Sequence, residues 1–90
     1  MPSPTHLYIY PASDKSVDIS WQYTGYFTGC QIQYTTGGKT KTVTVKDGMN
    51  YYHLKGLTPG NIYSFAVRTL LRIDGKTYYS DWCAPRTFAP

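Results

Sequence analysis

Leu57-Thr58-Pro59-Gly60-Asn61-Ile62-Tyr63, LTPGNIY, is the stretch on which the reading of this chain turns. Pro59 fixes its own φ, and Gly60 can take a positive φ at no steric cost. Three residues later Tyr63 stands near the start of a long run, Ile62–Ile73 (IYSFAVRTLLRI), rich in β-branched and aromatic residues. A turn therefore abuts an aromatic ring that carries a hydroxyl, with Leu57 just upstream as an apolar plug. That combination suits a place where the chain crosses from one extended layer to another and the crossing must be pinned.

Working outward, strand signals dominate. His6–Tyr10 (HLYIY) alternates, Ser16–Trp21 (SVDISW) sets Val17, Ile19 and Trp21 against Asp18 and Ser20, and Cys30–Tyr34 (CQIQY) repeats the pattern with Cys30, Ile32 and Tyr34. Lys41–Val45 follows the Gly37-Gly38 hairpin signal, Asn50–Leu54 follows Asp47-Gly48, and Tyr78–Phe88 follows Asp74-Gly75. With Ile62–Ile73 these make seven strands. No stretch repeats apolar residues at helical spacing over three turns, so the chain is expected to be all-β. Seven short strands parted by turn signals fit an immunoglobulin-like β-sandwich. The expected core is Leu7, Ile9, Val17, Ile19, Trp21, Ile32, Tyr34, Val43, Leu54, Leu57, Tyr63, Phe65 and Val67.

Ninety residues of 10.2 kDa fit one domain, 1–90, with the Pro-rich ends 1–4 and 89–90 read as stubs of linkers to neighbouring modules. A hydrophobic share of 41% with ten tyrosines is too apolar for disorder, and the frequent turns leave no apolar run long enough for membrane insertion. No apolar segment follows Met1 within the first fifteen residues, so an export signal is expected either elsewhere in the parent chain or already removed from this fragment. The net charge of +4 invites a nucleic-acid reading, but Lys39, Lys41 and Lys46 alternate with Thr and Val, as on a solvated edge strand. No clustered basic patch or known motif accompanies them, so no nucleic-acid partner is expected.

From end to end the sequence resembles a fibronectin type III module. The resemblance rests on SPTHLYI near the N-terminus, on Trp21 in SVDISW, on GCQIQY, and on GLTPGNIYSFAVRT with its turn and following strand. It implies a seven-stranded sandwich with a tyrosine corner, in which Tyr63 bonds backbone just upstream while Trp21, Leu57, Pro59 and Gly60 hold the core and the crossing. IQYTTGGKTKTVTV and DGKTYYSDW are most similar to modules of bacterial surface and secreted proteins, which implies an extracellular location and neighbouring domains on the same chain as partners. Cys30 departs from the family, which usually has an aromatic there; Tyr26 or Phe27 folding inward would fill the space. The family's Arg-Gly-Asp tripeptide is absent from RIDGK.

Cys30 and Cys83 lie too far apart for a paired zinc or redox motif. Either they form a disulfide or both are buried thiols. The sixth strand should run between them, and two strand spacings exceed the reach of a disulfide.

Little else suggests chemistry. His6 and His53 are the only histidines, His53 is expected to face solvent, and the aspartates fall in turns or on outward strand positions. No nucleophile elbow, phosphate loop or zinc pattern occurs. The expectation is a monomeric, non-enzymatic module without cofactor or metal, serving as a spacer or interaction domain. Two surfaces stand out. Trp82 on an outward face would lie beside Arg68 or Arg72, where a guanidinium stacks on indole. The loops after the second and sixth strands gather Tyr23, Tyr26, Phe27, Tyr78 and Tyr79, an aromatic pole suited to a protein or polysaccharide ligand. The structural alternative is that these rings cap the core and stiffen a hairpin.

Overall fold

The computed structural model describes residues 4–23, 27–46 and 49–89. It contains eight strands: β1 (Thr5–Ser13), β2 (Ser16–Gln22), β3 (Gly29–Thr36), β4 (Lys39–Lys46), β5 (Tyr51–Leu54), β6 (Tyr63–Ile73), β7 (Lys76–Tyr79) and β8 (Arg86–Phe88). One sheet has the order β1-β2-β5; the other has β4-β3-β6-β7, with β8 also paired to β6. All pairings are antiparallel.

The two sheets close over one core, built from alternate residues as period-two patterning demands. Val17, Ile19, Ile32, Phe65 and Val67 are wholly excluded from solvent, and Trp21, Leu7, Leu54, Leu57 and Tyr63 nearly so. Ile9, Tyr34 and Val43, expected in the core, are only partly buried against it, whereas Cys30, Val45, Ala66 and Cys83 join it. Tyr34 and Tyr63 both stack on Phe65, with centroids 6.2 and 6.1 Å away.

Turn chemistry follows the sequence closely. Gly37 and Gly38 have φ of 56° and 76°, and Asp74 and Gly75 have 51° and 77°, the doubly positive pattern of a type I′ hairpin. The Asp47-Gly48 signal lies outside the described residues; β4 and β5 belong to different sheets, so it does not mark a hairpin. In Thr58–Asn61, Pro59 precedes Gly60 at φ 88° and the Asn61 N–H donates to the Thr58 carbonyl, a type II turn. The Tyr63 hydroxyl, at 2.8 Å, accepts the Thr58 N–H, and the Leu57 N–H donates to the Lys15 carbonyl, so the passage from β5 to β6 is fastened to both sheets.

The expected seventh strand is two strands. Between them Ser80 and Cys83 substitute their side chains for ladder carbonyls: Ser80 Oγ accepts the Thr69 N–H at 2.9 Å, and Cys83 Sγ accepts the Val67 N–H at 3.3 Å. Their own N–H groups still reach the Thr69 and Val67 carbonyls. Pro85 follows without an N–H to donate, and regular pairing resumes only at Arg86.

Candidate functional site

Of the five aromatic residues of the expected pole, the four that the structure describes do not form one patch. Tyr26 lies outside the described residues. Tyr23 and Phe27 meet edge to face at 5.0 Å, and Phe27 packs against the core. Tyr78 and Tyr79 sit opposite Leu71 and Leu70 on β6, and strand alternation sends them to opposite faces of the sheet. Tyr79 is thereby drawn off the pole.

What holds Tyr79 is Arg68. Its guanidinium carbon lies 3.9 Å from the Tyr79 ring centroid and 4.5 Å from that of Trp82, so the cation is clamped between two aromatic faces. Nε and Nη2 both donate to Gln31 Oε1, at 2.9 and 2.7 Å. This arrangement crosses β3, β6, β7 and the β7–β8 connection. With both π-faces covered and Nε and Nη2 bound to Gln31, Arg68 acts as a staple on the outer face of the larger sheet.

A bridge between the cysteines is ruled out by topology. Cys30 pairs with Thr69 on one side of β6 while the Cys83 N–H bonds Val67 on the other, so a full strand separates two free, buried thiols. Burial pushes the Cys30 thiol up to about 11, with the Trp21 indole beside it pulling weakly the other way. Burial likewise raises Cys83.

The surface that the sequence reading passed over lies on the smaller sheet. Across β1, β2 and β5 the register sets Tyr8, Ser20 and Tyr51 in one row and Tyr10, Asp18 and His53 in the next. Small residues on β2 form the floor, and rings rise on either side. Tyr8 and Tyr10 are tilted together at 6.0 Å, and Tyr8, Tyr10 and Tyr51 remain 42–51% exposed. At the floor Asp18 Oδ1 lies 2.6 Å from His53 Nδ1 and accepts the Tyr51 hydroxyl at 3.1 Å. The His53 hydrogen bond, followed by that from Tyr51, holds the Asp18 carboxyl below the usual carboxylate range; the same contact raises the Tyr51 phenol.

This face is suited to recognition. It offers broad ring surface at low entropic cost, a fixed acceptor and an imidazole, the composition of a contact surface. The signal in the sequence was the tyrosines at the outward positions of HLYIY, but their neighbours on β5 become visible only once the register is known.

Among known proteins, the fibronectin type III domain model matches residues 2–83. The chain belongs to the fibronectin type III family, whose members are commonly modules within larger proteins. No curated protein matches it significantly. Similar solved structures include one described as a myokine, 19% identical with a TM-score of 0.83 and covering 99% of this chain and 97% of that one. The third fibronectin III domain of human KIAA0343 is 19% identical with a TM-score of 0.85, covering 99% and 81%. In the FN1–FN3 domains of chicken CNTN1, at 19% identity and a TM-score of 0.80, the match covers 94% of this chain and 29% of that one. At these identities the likeness is one of fold.

Proposed function

We propose that this domain is a non-catalytic extracellular module that spaces and orients neighbouring domains of a larger surface or secreted protein. One observation carries the reading. The first strand begins at Thr5 opposite Gln22, and the last ends at Phe88 opposite Tyr63, so the chain enters and leaves at opposite poles of a body 43 Å long and 22 by 20 Å across. Such a unit lengthens its parent in line, and hydrogen-bonded sheets with a pinned crossover resist bending. What supports a bacterial parent is the likeness of GKTYYSDW and its neighbours to modules of bacterial secreted proteins. Small-angle scattering of the parent protein with and without residues 5–88 tests the reading. The maximum dimension is expected to fall by most of the 43 Å axis; an unchanged dimension would overturn it.

A second reading is favoured by the Tyr8–Tyr51 rows: the module also grips a protein or polysaccharide surface. Attachment of the parent to its native surface, compared between wild type, Tyr8→Ser/Tyr51→Ser and Tyr26→Ser/Tyr78→Ser, separates the two aromatic surfaces. Loss in the first variant alone supports the sheet face, and loss in the second alone moves binding back to the pole. Unchanged attachment in both leaves the module a spacer.

A further inference from the structure

The alternation of β4 carries an anomaly. Lys39, Lys41, Val43 and Val45 share one face; Val45 is buried and Val43 partly so, which makes this the inward face. Two lysines thus occupy register positions where the pattern calls for apolar residues, at the open end of the core. Departures from an otherwise consistent pattern tend to mark function. The two lysines border a cleft of about 180 Å³ beside Tyr63, whose other walls include Tyr34, Thr36, Thr58 and Asn61. No acidic side chain lines it among the described residues, and neither lysine enters a salt bridge there.

We propose that this cleft is a binding site for a phosphate- or sulfate-type oxyanion group, held between the ammonium groups of Lys39 and Lys41. Lysine meets such groups as a compact point charge with three rotatable donors. Thr58 and Asn61 line the same cleft, on the turn that leads into Tyr63. That wall is fixed by the type II turn, by the Thr58 N–H bond to Tyr63 and by the Thr36 hydroxyl, which donates to the Ile62 carbonyl at 2.8 Å. The surrounding pole is cationic as well. Lys55 precedes the turn segment, and Lys15 is tied to it through the bond from Leu57, with Asp14 the acid of that β1–β2 turn. Positive side chains lining a partly walled cleft concentrate counter-ions there and speed their arrival. Inward lysines on an edge strand also deter edge-to-edge association, and that role requires no bound anion.

Amide chemical shifts followed during titration with inorganic phosphate, with inorganic sulfate and with a hexose 6-phosphate, each at constant ionic strength against chloride, discriminate between the two. Saturable shifts confined to residues 34–41 and 55–63 are expected. Lys39→Gln/Lys41→Gln should weaken them at least about tenfold while its spectrum stays that of the folded domain, and Lys76→Gln at the opposite pole should leave them unchanged. Tighter binding of the hexose phosphate than of inorganic phosphate assigns the site to an ester group, and the reverse to the free anion. Non-saturating shifts spread over all lysines, or saturable shifts that survive the double substitution, would overturn the proposal.

Discussion

Removing the single oxygen of Tyr63 should be felt out of proportion to its size. Tyr63→Phe keeps the ring stacked on Phe65 but strips the Thr58 N–H of its acceptor. A loss of about 1 kcal/mol is expected, read from urea unfolding as a lower midpoint with unchanged slope. Gly29 is constrained in another way: a Cβ there would lie 2.7 Å from the Val45 carbonyl oxygen, a backbone atom that cannot swing aside. Gly29→Ala should cost about 1–3 kcal/mol in the same measurement, because the β3–β4 ladder must open to admit the methyl group. At Asp18 the folded carboxyl is held below its ordinary 3.8, so its contribution is present above that value and is lost as pH falls through the lowered one. In His53→Ala the Asp18 carboxyl titration, followed by carbon NMR, should move up towards 3.8, since the largest cause of the depression is gone. An unmoved midpoint would show that Tyr51 alone sets it.

Strands here are joined as much by side chains as by ladders. The connection from β7 to β8 leaves regular pairing, yet it stays on β6 through Ser80 Oγ, Cys83 Sγ and the Tyr79–Arg68–Trp82 stack. Arg68 therefore couples elements that share no continuous ladder. A double-mutant cycle of Arg68→Ala and Trp82→Ala should return a coupling of about 0.5–1 kcal/mol, the range of a part-exposed cation–π contact. Additive effects would mean that Arg68 acts through Gln31 and Tyr79 without help from Trp82. The tyrosines of β1 and β5 depend on neighbours in the same way, since Tyr8 and Tyr51 share a surface only because Ser20 on β2 lies between them.

As a unit, the domain protects its two thiols by enclosure. Cys30 and Cys83 are buried with raised pKa values, so reaching either with a reagent requires opening of the sandwich. Intact mass after brief treatment with an alkylating reagent should show no adduct on the native domain and two adducts after denaturation without reductant. A denatured species carrying none would indicate a disulfide and contradict the arrangement about β6. The placement of charge is equally a property of the assembled body. Lys39 and Lys41 look like ordinary edge lysines along the chain, and they border a common cleft only when β4 is laid beside the turn before Tyr63.

The layered all-β architecture was legible along the chain because its determinants are local. Alternation in SVDISW and CQIQY, doubly positive turn residues at Gly37-Gly38 and Asp74-Gly75, and the Pro-Gly turn ahead of Tyr63 each act within a few residues. Register and side-chain capture were not legible, because they depend on partners distant in sequence. Ser80 and Cys83 taking backbone N–H groups broke one expected strand into two, and alternation on β7 scattered the expected aromatic pole. Cross-strand pairing then created a different aromatic face around Asp18. A period of two tells each residue which side of its own strand it occupies; which residues of other strands it meets there is settled only when the sheets pair and close on each other.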